Sequence, residues 1–249
     1  MSMVELNHVQ KVYSKAQTPA VEDISLEIHE GEFIVFVGPS GCGKTTTLRM
    51  IAGLEEVSSG TIHIGGKDVT YLEPKDRNVA MVFQNYALFP HMNVADNIGY
   101  GLKIKKVGKA EIKKRVSEML ELVQLAGSEK RMPSEMSGGQ KQRVAIARAL
   151  AYEPDFIMMD EPFAALDYFT REQMQKELLR VQKVKHSSIL FVTHSIDEAL
   201  ILGDRIVVIE KGLVKKVYPV ETPAEERNLL NDGFISLKRD IINNLNFMN

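Results

Sequence analysis

Residues 38–46 have the types and spacing of a phosphate-binding loop. They follow the apolar run FIVFV and open a helical pattern, which is the setting that such a loop requires. Glycines let successive backbone N–H groups turn toward phosphate oxygens, and the N-terminus of the next helix favours negative charge. We expect Lys44 to reach the β- and γ-phosphates and the Thr45 hydroxyl to bind Mg²⁺. The candidate phosphate-binding residues are Gly38, Pro39, Ser40, Gly41, Cys42, Gly43, Lys44, Thr45 and Thr46.

A second group of candidate residues ends the apolar run FIMMD. Asp160 and Glu161 would stand at the carboxyl end of a buried strand, where open α/β sheets bind their ligands. We expect Asp160 to hold Mg²⁺ and Glu161 to polarise the attacking water. An acidic pair after a strand is by itself often only a solvated strand end. The phosphate loop makes the functional interpretation the better one.

The elements that must position these residues are of two kinds. Residues 3–28 and the segment GTIHIGG alternate apolar and polar side chains, as half-exposed antiparallel strands do. The runs FIVFVG, FIMMD, SILFVT and RIVVIE are continuously apolar, which is typical of parallel strands buried on both faces. We therefore predict an α/β fold with a mostly parallel sheet, an antiparallel β part and a helical insertion at about 85–151. Helical spacing appears at Ile112, Val116, Met119, Leu120 and Val123, and again at Met174, Leu178 and Val181.

Composition limits the classes of protein that remain. The chain has 249 residues, 31 Lys and Arg against 33 Asp and Glu, and a single cysteine. The net charge of −2 gives no field directed at nucleic acid or anionic lipid. One cysteine cannot form an internal disulfide, which favours a reducing compartment. The start of the chain lacks the pattern of a secretion signal, and no apolar run approaches the ~18 residues that a membrane span needs.

The segment MSGGQKQRVAIARAL, residues 136–150, narrows the class further. In isolation, its serine and two glycines could be a simple helix cap. Placed just ahead of the Asp-Glu strand, the segment resembles the signature sequence of the ABC (ATP-binding cassette) family. In that family the signature contacts the nucleotide held by a partner chain. The corresponding residues here are Ser137, Gly138, Gly139 and Gln140.

Four further residues resemble family positions and take their expected roles from that resemblance. Gln84, in MVFQNYALFP, is similar to the Q-loop glutamine that contacts Mg²⁺ and the attacking water. Asp167, in AALD, is similar to the D-loop aspartate at the dimer contact. His194, in FVTHSIDEA, is similar to the switch histidine that contacts the γ-phosphate. Tyr13 is similar to the aromatic residue that stacks on adenine, with simple packing between strands as the alternative.

The resemblance covers residues 3 to about 219 and implies a specific function. It predicts a P-loop ATP hydrolase domain at 1–219, with ATP and Mg²⁺ as cofactors, followed by a short extension at 220–249. Two copies would close head to tail around two ATP molecules, and hydrolysis would open the pair. The 30 residues after 219 are too few for the regulatory β-barrel of sugar-importer ATPases, so regulation of that kind is not expected.

The expected process is solute uptake driven through separate membrane subunits. The chain would be cytoplasmic and peripheral on the inner face of the cell membrane, beside a polytopic permease and indirectly a solute-binding protein. An apolar set after the Q-loop, expected to be exposed, would receive a short helix of the permease. The segments LDYFTREQMQKELLRVQ and FVTHSIDEALILGDRIVVI most resemble ATPases of nitrate, sulfonate and taurine importers. The apolar set comprises Tyr86, Leu88, Phe89, Met92 and Val94.

Three alternatives remain beside the importer. An exporter subunit is one, although many exporters fuse the ATPase to the membrane part. A soluble ABC ATPase acting on DNA or ribosomes is disfavoured by a single phosphate loop, the lack of a sustained heptad run and the near-neutral charge. A small-molecule kinase shares the phosphate loop, but it would leave the signature, Asp167 and His194 without a role.

Overall fold

The structure is a computed structural model that describes residues 2–14 and 17–245. Within them the chain forms ten strands and seven α-helices. The strands are β1 (Ser2–Lys11), β2 (Val21–His29), β3 (Phe33–Val37), β4 (Ser59–Ile64), β5 (Lys67–Asp68), β6 (Val79–Val82), β7 (Phe156–Asp160), β8 (Ser188–Thr193), β9 (Arg205–Glu210) and β10 (Leu213–Pro219). The helices are α1 (Lys44–Ala52), α2 (Val94–Ile104), α3 (Lys109–Leu122), α4 (Gly138–Ala151), α5 (Tyr168–Lys185), α6 (Ile196–Leu202) and α7 (Asp232–Asn244).

All ten strands join one mixed sheet, in the order β5-β4-β1-β2-β10-β9-β3-β8-β7-β6. The five strands from β9 to β6 run parallel to one another. The strands β2, β1, β4 and β5 pair antiparallel at the other end of the sheet. The predicted α/β fold, with a parallel core and an antiparallel part, is therefore confirmed.

The parallel strands are apolar on both faces because each face packs against other elements. In β3, Phe33, Val35 and Val37 belong to the core that contains α2, α4 and α6. Ile34 and Phe36, which alternate with them, belong to the core that contains α1 and the antiparallel strands. A strand with solvent on neither side has no position for a polar residue, which explains the unbroken apolar runs.

The chain between β6 and β7 contains α2, α3 and α4 and no strand among its residues, all of which are described. On α3, Val116, Met119 and Leu120 are buried, and Val123 follows as its C-cap and is also buried. The predicted helical face is thus confirmed, and Met174, Leu178 and Val181 form the corresponding buried stripe of α5. This helical segment is inserted in the chain between two neighbouring parallel strands, β6 and β7.

The end of the described chain packs back onto the same core. The apolar residues Phe234 and Ile241 of α7, and Leu245 just after it, are buried. Lys238 of α7 makes an ion pair with Asp197 of α6, and Asn244 donates a hydrogen bond to the Tyr218 hydroxyl at 2.9 Å. The helix therefore packs against α6 and the end of β10. Among the residues that the structure places, no helix combines the length and apolar character that a bilayer span needs.

Candidate active site

Four neighbouring parallel strands bring the candidate residues to one edge of the sheet. The strands β3, β8, β7 and β6 lie side by side in that order. Their carboxyl ends lead, respectively, into the phosphate loop, His194, the Asp160–Glu161 pair and Gln84. These segments are far apart in sequence, yet parallel pairing places their ends in a row. A ligand along this edge would meet all four.

The phosphate loop is held against the sheet by close backbone approaches. A Cβ on Gly38 would lie 2.2 Å from the Ile209 oxygen, so this position requires glycine. Gly43 has φ +108 and would meet the Ala20 oxygen at 2.6 Å. Gly43 is also the N-cap of α1 and offers no side chain to the first-turn N–H groups. Those donors consequently remain available to an anion.

Lys44 is buried inside the loop, with 5% of its surface exposed. Its ammonium donates to the carbonyls of Gly38 at 2.8 Å and Pro39 at 2.9 Å. No carboxylate of the described chain comes within ion-pair distance of it. A buried cation without a countercharge is costly, and a bound phosphate would supply that charge.

Thr45 and Asp160 stand together beside the loop. The Thr45 hydroxyl donates to Asp160 Oδ1 at 3.0 Å. Burial raises the pKa of Asp160, the Thr45 hydrogen bond opposes this, and the neighbouring Glu161 carboxylate adds to the increase. A cation at this point would relieve the same electrostatic cost.

These residues fit Mg²⁺ carried by a nucleotide. A hydroxyl and a carboxylate are the hard oxygen ligands that Mg²⁺ prefers. Across the described ranges, no group of three or more His, Cys, Asp and Glu side chains is arranged to hold a metal. The chain therefore offers a partial ligand set, as expected for an ion that keeps waters and binds phosphate oxygens. Cys42 is buried with its backbone oxygen accepting from Gly212, and it adds no metal ligand.

Glu161 and His194 form a pair at the ends of β7 and β8. His194 Nδ1 lies 3.1 Å from Glu161 Oε2, and the two side chains are 63% and 25% exposed. Glu161 has φ +44, a left-handed conformation that is unfavourable for glutamate, and its N–H donates to Val192 at 3.0 Å. Such strain is typical of functional positions. A half-exposed carboxylate held by an imidazole can accept a proton from water.

Gln84 follows β6 by two residues, and its side chain is exposed at the same edge. The loop after it is held by Arg148 of α4, which donates to the carbonyls of Ala87 at 2.7 Å and Tyr86 at 3.0 Å. Tyr86 and Ala87 both have positive φ. Arg148 therefore connects the Gln84 loop to the helix that the signature opens.

The signature residues begin α4, and their hydrogen bonds are local to that helix start. Ser137 is the N-cap: its hydroxyl accepts from the Gln140 N–H at 3.3 Å, and its N–H donates to the Gln140 side chain at 3.1 Å. Ser137 and Gly138 are exposed. Within the described ranges, no hydrogen bond joins residues 137–140 to residues 38–46. A Cβ on Gly138 would lie 3.4 Å from the Tyr86 hydroxyl and 3.6 Å from Leu166 Cδ2, so the signature packs beside the Gln84 loop and the Asp167 loop.

Asp167 has a local structural role as well as the predicted one. It is the N-cap of α5, and its carboxylate accepts from the Thr170 N–H at 3.0 Å. The hydrogen bond from Thr170 lowers the pKa of Asp167. Tyr168 and Phe169, which follow it, are 66% and 80% exposed. The loop thus presents a charge and two aromatic rings to the surroundings.

Tyr13 is 38% exposed, and the Lys11 ammonium lies 5.0 Å from its ring centre. The β1–β2 connection that carries it closes on itself, since Ala20 N–H donates to Lys11 at 2.8 Å. The same Ala20 abuts Gly43 of the phosphate loop. The ring is therefore carried by a segment anchored beside the loop, as an adenine contact would require.

The apolar set expected after the Q-loop is exposed only in part. Val94, at the start of α2, is fully buried, so the prediction that it is exposed was wrong. It is the first helical residue after the Asn93 cap, and it faces the core. The other four are half-buried, with Tyr86 and Leu88 packed against the core and the Phe89 ring in tilted contact with Tyr100 at 4.6 Å between ring centres.

A groove nevertheless exists at this place. It has a volume of about 420 Å³ and is open to solvent. Phe89, Tyr100 and Tyr152 supply aromatic walls, and Phe83 and Met81 come from β6 and its end. The groove therefore lies between β6 and the helical segment, and its lining includes Phe83, the residue before Gln84.

Several residues important to the site carried no sequence signal. Arg77 is buried and donates to the carbonyls of Met50 at 2.7 Å and Ile51 at 3.0 Å, which end α1. A cation at this end complements the helix dipole whose other end faces the phosphate site. Arg148 and Glu198 are two more examples. Each acts through contacts between segments distant in sequence, which no local spacing reveals.

A comparison with protein families gives a match to the ABC transporter model over residues 21–164. The match runs from β2 through the phosphate loop, signature and Asp-Glu strand to Ala164. The chain belongs to the ABC transporter family. Solved ABC cassettes share the fold: the dimeric post-hydrolysis cassette MJ0796, bound to ADP and Pi, has a TM-score of 0.78 and 32% identity, covering 89% of this chain and 100% of that one.

Curated relatives within the ABC family are named as import proteins. The spermidine/putrescine import ATP-binding protein of Thermobifida fusca is 53% identical over 89% of this chain and 58% of its own length. The oligosaccharides import ATP-binding protein of Bacillus subtilis is 47% identical over 94% of this chain and 64% of its own length. The sn-glycerol-3-phosphate import ATP-binding protein of Yersinia pseudotuberculosis is 49% identical over 90% and 62%.

This ABC chain thus spans about six-tenths of the length of these relatives. Their names do not support the expected nitrate, sulfonate and taurine subtype. That expectation rested on the amino-acid sequence in and around α5 and α6, which belong to the ATPase fold and not to a separate solute-binding part.

Proposed function

We propose that this ABC chain binds and hydrolyses ATP, with Mg²⁺, to power solute uptake through separate membrane subunits. The observation that carries the proposal is the buried Lys44 ammonium, which makes no ion pair with a carboxylate of the described residues and lies inside an amide-lined loop at an uncapped helix start. A triphosphate is the ligand whose charge matches that loop.

The residues at the sheet edge divide the chemistry. Lys44 holds the terminal phosphates, and Thr45 and Asp160 hold the metal ion with Gln84. Glu161 accepts the proton of the attacking water, and His194 orients the carboxylate and contacts the γ-phosphate. When bound, Mg²⁺ would neutralise charge on the phosphate oxygens. Tyr13 stacks on the adenine ring.

We further propose that two copies form the working unit. The signature residues Ser137 to Gln140, of which Ser137 and Gly138 are exposed, would complete the ATP site of a partner chain, because within the described residues they make no hydrogen bond to the phosphate loop of their own chain. The exposed Asp167 loop would meet the partner nearby. Support comes from the dimeric cassettes that share this fold. Loss of the γ-phosphate would remove charge that both chains contact and open the pair.

The uptake proposal rests on the names of the relatives, which are import ATP-binding proteins for polyamines, oligosaccharides and glycerol phosphate. The aromatic-lined groove between β6 and the helical segment would receive a short helix of a permease at the inner face of the cell membrane. A solute-binding protein would contribute indirectly. We place the ATPase domain at 1–219, with the helical insertion at about 85–151, and treat 220–249 as an extension.

Phosphate release from ATP by the purified chain tests the enzymatic part. Activity should require Mg²⁺, and Lys44→Ala should abolish nucleotide binding while leaving the melting temperature close to wild type. Lys176→Ala, an exposed lysine on α5, is the matched control. ATP turnover that is unchanged in Lys44→Ala would show that the site is elsewhere.

Purification of the tagged chain from gently solubilised native membranes tests the transport part. We expect a polytopic membrane protein to co-purify, and we expect ATP turnover to rise when the cognate solute-binding protein is added. Phe89→Asp, in the groove, should abolish that association and leave basal turnover in solution intact. Recovery of ribosomes or DNA in place of a permease would contradict uptake while leaving ATP hydrolysis intact.

A further inference from the structure

Glu198, on α6, is a buried carboxylate just beyond the predicted site. Its side chain is 7% exposed, as expected for a core residue rather than for a glutamate. Oε2 accepts a hydrogen bond from the Thr193 hydroxyl. Oε1 lies 3.6 Å from Arg171 Nε, an ion pair longer than a hydrogen bond. A charge so deeply placed needs both partners.

The first partner holds the backbone on both sides of His194. The Thr193 hydroxyl, while donating to Glu198, accepts from the Ser195 N–H at 3.0 Å. The Ser195 hydroxyl in turn accepts from the Glu198 N–H at 3.3 Å and caps α6. The residues before and after His194 are therefore both held by contacts that end at Glu198. This fixes the segment whose imidazole lies 3.1 Å from Glu161.

The second partner reaches the Asp167 loop. Arg171 Nη2 donates to the Leu166 carbonyl at 3.1 Å, and the backbone N–H of Arg171 donates to the Asp167 carbonyl at 2.9 Å. Arg171 thus holds the loop with one end of its guanidinium and Glu198 with the other. The loop that presents Asp167 to the surroundings is joined by two side chains to the histidine segment.

We propose that Glu198 and Arg171 are positioning residues that link the Asp167 loop to His194, so that the loop sets the place of the histidine during hydrolysis. This inference deepens the proposed ATP hydrolysis and rests on it. Burial raises the pKa of Glu198, while the Thr193 hydrogen bond and the Arg171 charge favour its ionised form. Both partners thus favour the charged state that the pair requires.

The pair acts on the catalytic step and not on nucleotide binding, because in the described part of the chain neither residue makes a hydrogen bond or ion pair with the phosphate loop. We expect Glu198→Gln to lower kcat by about 3- to 30-fold, the range of a modest coupling between sites, with the KM for ATP changed by less than about 2-fold. Arg171→Gln should have the same effect. The double variant should lose little more than either single one, because both remove the same link.

Glu177→Gln is a matched control. Glu177 is also 7% exposed, also pairs with an arginine, Arg180, and lies on α5 with Arg171. Among the described residues its side chain bonds to Arg180 and Gln124 and to none of the site edge. Glu198→Gln and Glu177→Gln each remove one buried carboxylate charge that lies beside an arginine. A purely structural role for Glu198 predicts similar losses of melting temperature and no difference in kcat between them.

The test is steady-state ATP turnover with thermal melting of wild type and all four variants. A kcat loss confined to Glu198→Gln, Arg171→Gln and their combination, at unchanged KM, supports the proposal. Equal kcat for Glu198→Gln and Glu177→Gln in an active protein refutes the link and leaves the ATPase function standing. A wild-type protein without ATP turnover overturns the proposed function and this inference with it.

Discussion

The substitution Glu161→Gln isolates the proton acceptor from every other part of the site. Glutamine has the same shape, so it can keep the 3.1 Å contact with His194 and the backbone hydrogen bond to Val192. It loses only the basic oxygen. Loss of a general base costs roughly 10²- to 10⁴-fold in rate, which is about 3 to 5 kcal/mol of activation free energy.

Binding of ATP should survive the Glu161→Gln substitution. The Glu161 charge raises the pKa of Asp160 and so opposes the ionised form that holds the metal. Its removal therefore leaves ATP affinity unchanged or slightly higher. Because the nucleotide is bound but not hydrolysed, the closed pair should accumulate.

Two assays measure these effects: phosphate release, and light scattering of the chain with ATP and Mg²⁺. We expect turnover to fall by at least 100-fold and the scattering mass to double. Glu225→Gln, an exposed glutamate paired with Lys183, is the control for loss of charge. Turnover at the wild-type rate in Glu161→Gln would refute the assignment of the base, and a monomer under these conditions would refute the dimer.

Three further predictions concern stability. Arg77→Met removes a buried donor to four carbonyls and should lower the free energy of unfolding by about 3 kcal/mol. Calorimetry should then show a melting temperature lower by roughly 6 to 12 °C. Gly38→Ala should be destabilising by about 1 to 3 kcal/mol and should weaken ATP binding, since its Cβ meets a backbone oxygen at 2.2 Å. Gly233→Ala, in the first turn of α7, meets nothing within 4 Å and should be near neutral. The lowered pKa of Asp167 means that its cap stabilises the fold above pH 3.8, the unfolded value, and is lost as the pH falls through the lower folded pKa. Asp167→Ala should thus melt below wild type at pH 7, and the difference should shrink as the pH falls below 3.8, with Asp167→Asn, which keeps a cap, intermediate at pH 7.

Local sequence rules predicted the parts of the site that local chemistry determines. The phosphate loop was predictable because its glycine positions, its lysine and the start of α1 are all within one stretch of chain. The capping serine at residue 137 was visible for the same reason. The four apolar parallel strands were recognisable because burial on both faces leaves no place for polar residues.

Contacts between distant segments could not be predicted in this way. Val94 shows the limit: it follows a loop rich in apolar residues, and only the packing of α2 decides that it faces the core. Arg77, Arg148 and the Glu198–Arg171 pair are charged residues in ordinary surface-like patterns. Their burial depends on which carbonyls and carboxylates the fold brings to them.

The sequence by itself determined the chemical parts of this protein: a phosphate loop, an Asp-Glu strand end, a signature helix start and the family to which they belong. Tertiary structure decided their arrangement. The order β3, β8, β7, β6 places Lys44, His194, Glu161 and Gln84 along one edge, although the chain order is different. The physical reason is that strand pairing and core packing are long-range, cooperative choices, whereas a loop or a cap is specified by the few residues that form it.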